Sequence, residues 1–524
     1  MPFNIIHTEL LKRHCVDYIR RCIILSNEKT NTKWVTAGLL LGLVLSSLDQ
    51  TIVAASLPTI TKQLGGFSLY SWVFTVYMLA STVMMPIYGK LADLFGRKRV
   101  FLGGLSLFLL GSLLCGCAHS MYELIAFRCI QGLGAGALMP VAFTIIADIY
   151  PPEQRVKFMG LFSTVFAASS IGGPVLGGLL AAWSWRWIFL MNLPIGLPAL
   201  LLLAAALKET QPLRSRPKID WSGAAAFAGS VVALLLALVL GGNEYAWGSP
   251  VNLGLWITGG ALLGVFIWVE AKAKEPMMPM RLFTLRTVTC SHIAGFFINA
   301  ALFGAIAYIP LFVQGVIGVS SVVTGYILVP FMLATVVTMT GCRRWMMKVS
   351  YRTILVMSLS CTLAGFLLFS RMDMDTTTLE IVIYMLVAGF GAGAVFPALG
   401  TAAQHAVEWS LRGAATSSNQ FFRSVGGTIG VSIMGGMLSR GIADRLEASK
   451  AAGLDIQGLS DPETVLNGEL RLQLPESALQ ELQRAFSGAL HDVFLFASLL
   501  VAVSLLASAA MGKARLISRN GESS

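Results

Sequence analysis

Gly132-Leu-Gly134-Ala-Gly136-Ala-Leu-Met-Pro140 returns 257 residues later as Gly389-Phe-Gly391-Ala-Gly393-Ala-Val-Phe-Pro397, each copy inside a long apolar segment. The echo continues beyond both copies. Arg155 precedes the next apolar segment and Arg412 precedes its counterpart. Ser170-Ile-Gly172-Gly173 then matches Ser424-Val-Gly426-Gly427, with the offset drifting to 254. Two copies of a unit made of several apolar segments indicate a membrane protein built from two similar bundles.

Composition agrees with that reading. The 524 residues are 55% hydrophobic and only 12% charged, where a soluble chain carries roughly 25% charged residues. Apolar runs long enough to cross a hydrocarbon core of about 30 Å as helices recur near 34–56, 68–88, 99–118, 122–147, 157–182, 187–207, 221–241, 252–271, 288–313, 320–341, 352–370, 378–403, 413–439 and 489–511. The expected fold is all-α and polytopic, with 14 spans. Of the 38 Lys and Arg, 28 fall on the side of the two termini and eight on the other, while Arg128 and Arg423 lie within spans. Cytoplasmic loops collect such bases, so both termini are expected in the cytoplasm and the protein in the plasma (inner) membrane. The net charge of +11 then records topology, and a nucleic-acid partner is not needed to explain it. Eight cysteines form no disulfide framework, and no metal or cofactor site is expected.

The fourth span repeats as the twelfth and the fifth as the thirteenth, so the repeat unit skips eight spans. Two spans therefore stand between two six-helix bundles related by a pseudo-twofold axis. The expected divisions are a cytoplasmic segment 1–33, a first bundle 34–207, a linker 208–287 with the seventh and eighth spans, a second bundle 288–511 and a tail 512–524. The second bundle includes an acidic outer loop, 441–488, in which Pro475-Glu-Ser477 followed by Gln480 reads as a capping box that opens a helix running towards the last span. In the first segment Lys12, Arg13, Arg20 and Arg21, interleaved with Ile and Leu, suggest a short helix on the lipid surface.

Asp49 is the one carboxylate well inside a span. Insertion scales put the cost of such a group at about 2.5–3.5 kcal/mol, and burial disfavours its charged form, so it is suited to taking up and releasing a proton. The bland alternative is a permanent ion pair that ties two helices. Arg128 offers the partner: counted from the outer ends of their spans, Asp49 lies roughly 12 Å deep and Arg128 roughly 9 Å. After the second span comes Gly89-Lys-Leu-Ala-Asp93-Leu-Phe-Gly96-Arg97-Lys-Arg99. Gly89 and Gly96 permit a close approach and a sharp turn, and Asp93 suits the N-terminus of a neighbouring helix, where the dipole favours anions. The expected neighbour is the thirteenth span near Arg412–Thr416, which would make this loop a gate.

That loop resembles the signature loop of the major facilitator superfamily at every strong position, although Leu94 departs from the frequent base. Leu48-Asp49-Gln-Thr51-Ile52-Val53-Ala-Ala-Ser-Leu57-Pro58 resembles the first-span motif of its fourteen-span drug:proton antiporter branch. Arg128-Cys-Ile-Gln131-Gly132 resembles the fourth-span motif, which implies proton coupling. Gly172-Gly173-Pro174-Val-Leu-Gly177-Gly178 resembles the fifth-span antiporter motif. Trp185-Arg186-Trp187-Ile-Phe189-x-x-Asn192-x-Pro194 also fits, and the resemblance covers about 34–511. The glycines of the fifth span are expected to meet the thirteenth span and seal the cavity against proton leak. The second half departs from the pattern: Gly341-Cys-Arg343-Arg344-Trp-Met-Met-Lys348 lacks the acid of the first loop. Arg423 reads equally as a gate residue and as a headgroup anchor.

A substrate pocket is expected between the bundles, aromatic and polar, with Trp72, Tyr77, Gln131, Phe296, Asn299, Phe303, Asn419 and Gln420 as its candidates. The resemblance implies export of hydrophobic or cationic small molecules against protons, with lipids as the other contacts and a monomer as the expected state. A dedicated exporter of one metabolite or antibiotic is the alternative within this architecture, and a non-transporting membrane sensor the alternative outside it. The chain has no phosphate-binding Gly-x4-Gly-Lys-Ser/Thr motif for ATP-driven pumping, and no constellation inside the spans that suits an enzyme.

Overall fold

The computed structural model describes residues 31–64, 69–151, 183–208, 220–241, 245–273, 276, 278–317, 321–408, 411–451 and 476–512, with scattered positions between 154 and 180. The surface helix expected in 1–33 lies outside them, apart from its last three residues. Among the described residues the chain is helical, with a single isolated bridge between Gly241 and Tyr245 and no strand.

Among the described residues thirteen helices are long and apolar enough to cross a membrane. The fourteenth expected span, the fifth in order, falls on the scattered positions, which are helical wherever described. The first four spans are Thr32–Leu64, Tyr70–Phe95, Arg97–Gly116 and Met121–Ile149. The sixth breaks at Met191 into Arg186–Leu190 and Asn192–Ala206, and the seventh and eighth are Trp221–Leu240 and Pro250–Lys272. The ninth is Arg286–Phe312 with a π-helical end Val313–Ile317; the tenth and eleventh are Ser321–Lys348 and Tyr351–Phe369. The twelfth is split into Thr378–Ala392 and Val395–His405, and the last two are Arg412–Ala451 and Glu476–Ala509.

Short polar side chains start several spans by accepting from orphan backbone donors. Ser120, Asp220, Ser249 and Ser350 each cap a first turn, and Thr377 forms a reciprocal capping box with Glu380. Gly96 turns the chain between the second and third spans at a φ of 92°, which a side chain would disfavour.

Two cores account for most of the buried apolar side chains. One joins residues from Val35 to Leu207, the other residues from Cys290 to Met511. The repeated glycines do the same work in each. A methyl group on Gly132 would strike the Tyr77 backbone and one on Gly389 the Phe331 backbone; Gly134 and Gly391 abut Phe108 and Thr362 in the same manner. Tyr77 and Phe331, like Phe108 and Thr362, are 254 residues apart. Small residues let helices without a hydrophobic driving force pack backbone to backbone, so the repeat in sequence is a repeat in packing.

The seventh and eighth spans pair through Ser230 Oγ, which donates to Gly259 O at 2.9 Å, and through Phe227 on Phe266. They lean on Leu79 and Val83 of the second span and on Phe421 of the thirteenth, where the two halves meet.

One expectation needs correction. Segment 441–488 is not all loop: the thirteenth span continues to Ala451, while the fourteenth begins at Glu476, where the sequence placed a helix start. Forty residues of helix measure roughly 60 Å, about twice the hydrocarbon thickness. Ile442 and Leu446 share a buried apolar cluster with Leu482, Ala485 and Phe486, while Arg445 pairs with Asp492 at 2.7 Å and Ser449 donates to Glu481 at 2.6 Å. The polar composition of 441–451 hid the first of these extensions, whose apolar residues fall on one face.

Candidate functional site

Asp49, on the first span, and Arg128, on the fourth, meet side by side. Arg128 Nη1 lies 2.5 Å from Asp49 Oδ2, with the two residues 0% and 1% exposed. Gln131 Nε2 donates to Asp49 Oδ1 at 2.7 Å and Asn192 Nδ2 donates to the same oxygen at 3.2 Å. Gln131 Oε1 in turn accepts from Arg128 Nη1 at 2.8 Å. The guanidinium lies 4.1 Å from the centroid of the Tyr77 ring, and its Nε donates to Val73 O at 3.3 Å. Behind Asn192 stands Ser112, whose hydroxyl accepts from Asn192 Nδ2 at 2.9 Å and donates to Phe189 O. Both carboxylate oxygens are therefore engaged by donors, the condition under which a buried charge is tolerable.

Tyr77 and Gln131, expected as substrate contacts, stand in this charge cluster. Gln131 stands three residues after Arg128, on the same helical face, and that spacing could have assigned it. Asn192 went unassigned as a site residue. Its signal was a polar side chain opening an otherwise apolar sixth span, just after the break at Met191.

A cavity of about 270 Å³ lies between the halves. The first, second and fourth spans supply Ser47, Gln50, Met78, Met85 and Met139, and the second half supplies most of the remaining wall. Asn299, Phe303, Asn419, Gln420 and Arg423 line it. Trp72 and Phe296 are not among its described lining residues: Trp72 sits near the N-terminal end of Tyr70–Phe95, and Phe296 packs edge-on to Phe297. Arg423 stands 11 residues from Arg412, roughly 16 Å along the helix. Its guanidinium lies 3.8 Å from the centroid of the Phe396 ring. Among the described lining residues there is no carboxylate.

At the end of the bundle rich in Lys and Arg the halves touch. Asp93 Oδ2 accepts from Ala414 N at 3.1 Å, at the start of the thirteenth span. Gly413 and Gly89 make that approach possible, since a methyl group on either would run into Asp93 or Ser417 respectively. Arg97 pairs with Asp93 at 3.5 Å and also with Asp148. Asp148 closes the fourth span at the same end and was not singled out in the sequence. Farther along the same helix pair Thr82 and Ser424 share a hydrogen bond of 2.9 Å.

The fifth-span glycines need a second correction. Gly173 and Gly177 face Thr51, Ile52 and Ser56 of the first span, not the thirteenth, and Thr51 Oγ1 donates to Ser169 O at 3.1 Å. Their close approach is within one half, beside Asp49. Gly172 has nothing within 4 Å of where its methyl would stand. Pro174 and Gly178 lie outside the described residues.

With this geometry in hand, the chain can be set against known proteins. The family profile described as Major Facilitator Superfamily matches residues 39–431. "Multidrug resistance protein 3" of Bacillus subtilis (strain 168) is 39% identical over 497 residues, 93% of this chain and 97% of that one. "Multidrug transporter protein MdtP" of the same organism is 36% identical, over 93% of this chain and 94% of that one. Among solved structures, the human organic anion transporter MFSD10 (TETRAN) superposes with a TM-score of 0.59 at 16% identity, covering 90% of this chain and all of that one. That likeness speaks to the fold.

Proposed function

This chain belongs to the major facilitator superfamily, and we propose that it exports amphipathic, drug-like compounds from the cytoplasm in exchange for protons. It is a multi-pass membrane transporter rather than an enzyme. The names of the two Bacillus relatives support the drug-like class of cargo. The observation that carries the proton is the buried Asp49 carboxylate, held by Arg128, Gln131 and Asn192.

In the proposed cycle the ionised carboxylate clamps the first span to the fourth through Arg128. Taking up a proton removes the negative charge that the guanidinium faces, so the clamp loosens. Ser47 and Gln50, on the same span as Asp49, line the cavity, which couples the protonation state to the shape of the binding wall. The contact of Asp93 with the thirteenth span would then close the cytoplasmic side in one orientation and part in the other, the divisions 34–207 and 288–511 rocking as bundles. The excess of Lys and Arg at the end bearing Asp93 supports a plasma-membrane orientation with both termini inside. Of the hydrophobic or cationic cargo expected from the sequence, the apolar part has support in the cavity wall, rich in methionine.

The test is Asp49→Asn in proteoliposomes with an imposed proton gradient. The variant should insert and fold but lose substrate-driven proton movement by about 100-fold, the scale of a lost general acid–base group. Unchanged proton movement would leave Asp49 as a structural ion-pair partner and sink the antiport reading.

A further inference from the structure

Among the described residues no carboxylate balances the charge of Arg423. Its Nη1 donates to Gln420 Oε1 at 3.4 Å and its guanidinium lies over the Phe396 ring; both partners are neutral. Among the described residues no ion pair includes it, and its Nε has no acceptor. The sequence closes the other route, because Asp49 is the one carboxylate well inside the spans that form the cavity. Both Asp49 oxygens are already taken by Arg128, Gln131 and Asn192. The two intramembrane arginines thus differ: Arg128 is enclosed with its counter-charge, and Arg423 faces the cavity without one.

A guanidinium stays charged at every physiological pH, and a charge shut away from water is unfavourable until a counter-charge joins it. Any ligand that displaces solvent from this cavity must therefore answer Arg423. A carboxylate or sulfonate does so with two parallel, charge-assisted hydrogen bonds. An ammonium group would meet repulsion, with no acid among the described lining residues to offset it. The rest of the wall suits an apolar body: Met78, Met85, Met139, Met332 and Met339 line it, and thioether side chains adapt to irregular shapes.

We propose that the cavity takes amphipathic organic anions, an apolar ring or chain bearing a carboxylate or sulfonate, and that Arg423 selects the negative charge. The assignment rests on the export reading above and narrows its cargo.

Three probes that share one ring system separate charge from shape: naphthylacetate, its neutral amide naphthylacetamide, and naphthylethylammonium. Binding is measured by calorimetry on the purified full-length protein. The parent should bind the carboxylate at least about 10-fold tighter than the ammonium, and Arg423→Gln should weaken the carboxylate by about 10-fold while holding the amide within about 2-fold. Retained binding of the amide reports a folded cavity. Arg423→Lys should keep a reduced preference for the anion, because a point charge lacks the planar fork. Equal or tighter binding of the ammonium by the parent, survival of the anion preference in Arg423→Gln, or binding of none of the probes would each overturn the assignment. Proton flux in proteoliposomes separates it from the export reading. Arg423-dependent binding of the carboxylate with no probe moving protons defeats export and leaves the site standing. Proton exchange driven by the ammonium alone defeats the site and leaves export standing.

Discussion

Arg128 and Met385 stand at corresponding places in the repeat, 257 residues apart, and each is buried to within 1%. Around Arg128 are Asp49, Gln131 and Asn192; Met385 joins an apolar core, and Ala388 stands where Gln131 does in the first half. At the basic end the contrast repeats. Arg97 and Asp148 form an ion pair, and their counterparts, 254 and 257 residues on, are Tyr351 and His405. That pair is neutral-tolerant, with Tyr351 Oη 3.5 Å from His405 Nδ1. Asp93, which docks on the thirteenth span, corresponds to the half-exposed Met347. The two halves share their glycine scaffold and divide their chemistry: ions are concentrated in the first, while most of the cavity wall comes from the second.

The largest effect should come from making the first half resemble the second. Arg128→Met strands a buried carboxylate, and breaking such a pair costs about 3–5 kcal/mol. The double variant Asp49→Leu/Arg128→Met should recover most of that loss in thermal melts and yet remain uncoupled. A double variant as unstable as the single one would mean that the pair is structural, and the division of labour between the halves would fall.

Next in size is the basic end. Arg97→Ala leaves Asp93 and Asp148 buried without their cation and should destabilise by about 3 kcal/mol. Tyr351→Phe removes one long hydrogen bond and should cost less than about 1 kcal/mol. Equal losses in the two variants would show that the ionic end of the first half is no stronger a fastening than the neutral end of the second.

The smallest contrast tests what the halves share. Gly134→Ala and Gly391→Ala each push a methyl into the backbone of the third helix of their own bundle. Both should lose about 1–3 kcal/mol by overpacking, and the two losses should agree to within about 1 kcal/mol. A large difference would make the glycine scaffold, like the charges, the property of one half.

The sequence alone determined the helical membrane fold, the two-bundle plan and the special standing of Asp49. Hydrocarbon forces backbone groups to pair within each helix, so apolar length and lone charges are legible in one dimension. The turn at Gly96 was legible for the same reason, being local. Which faces meet is a property of packing, and there the tertiary structure decided. It set Tyr77 and Gln131 beside Arg128, because residues three apart on a helix share a face whose partner no local pattern names. It turned Gly173 and Gly177 towards the first span, and it carried the thirteenth helix on to Ala451, with Ile442 and Leu446 in one cluster with Leu482 and Phe486. It also separated two arginines that look alike in the sequence. Arg128 is enclosed with a carboxylate and Arg423 faces the cavity without one, and in a low-dielectric interior the distance to a counter-charge decides what each side chain can do.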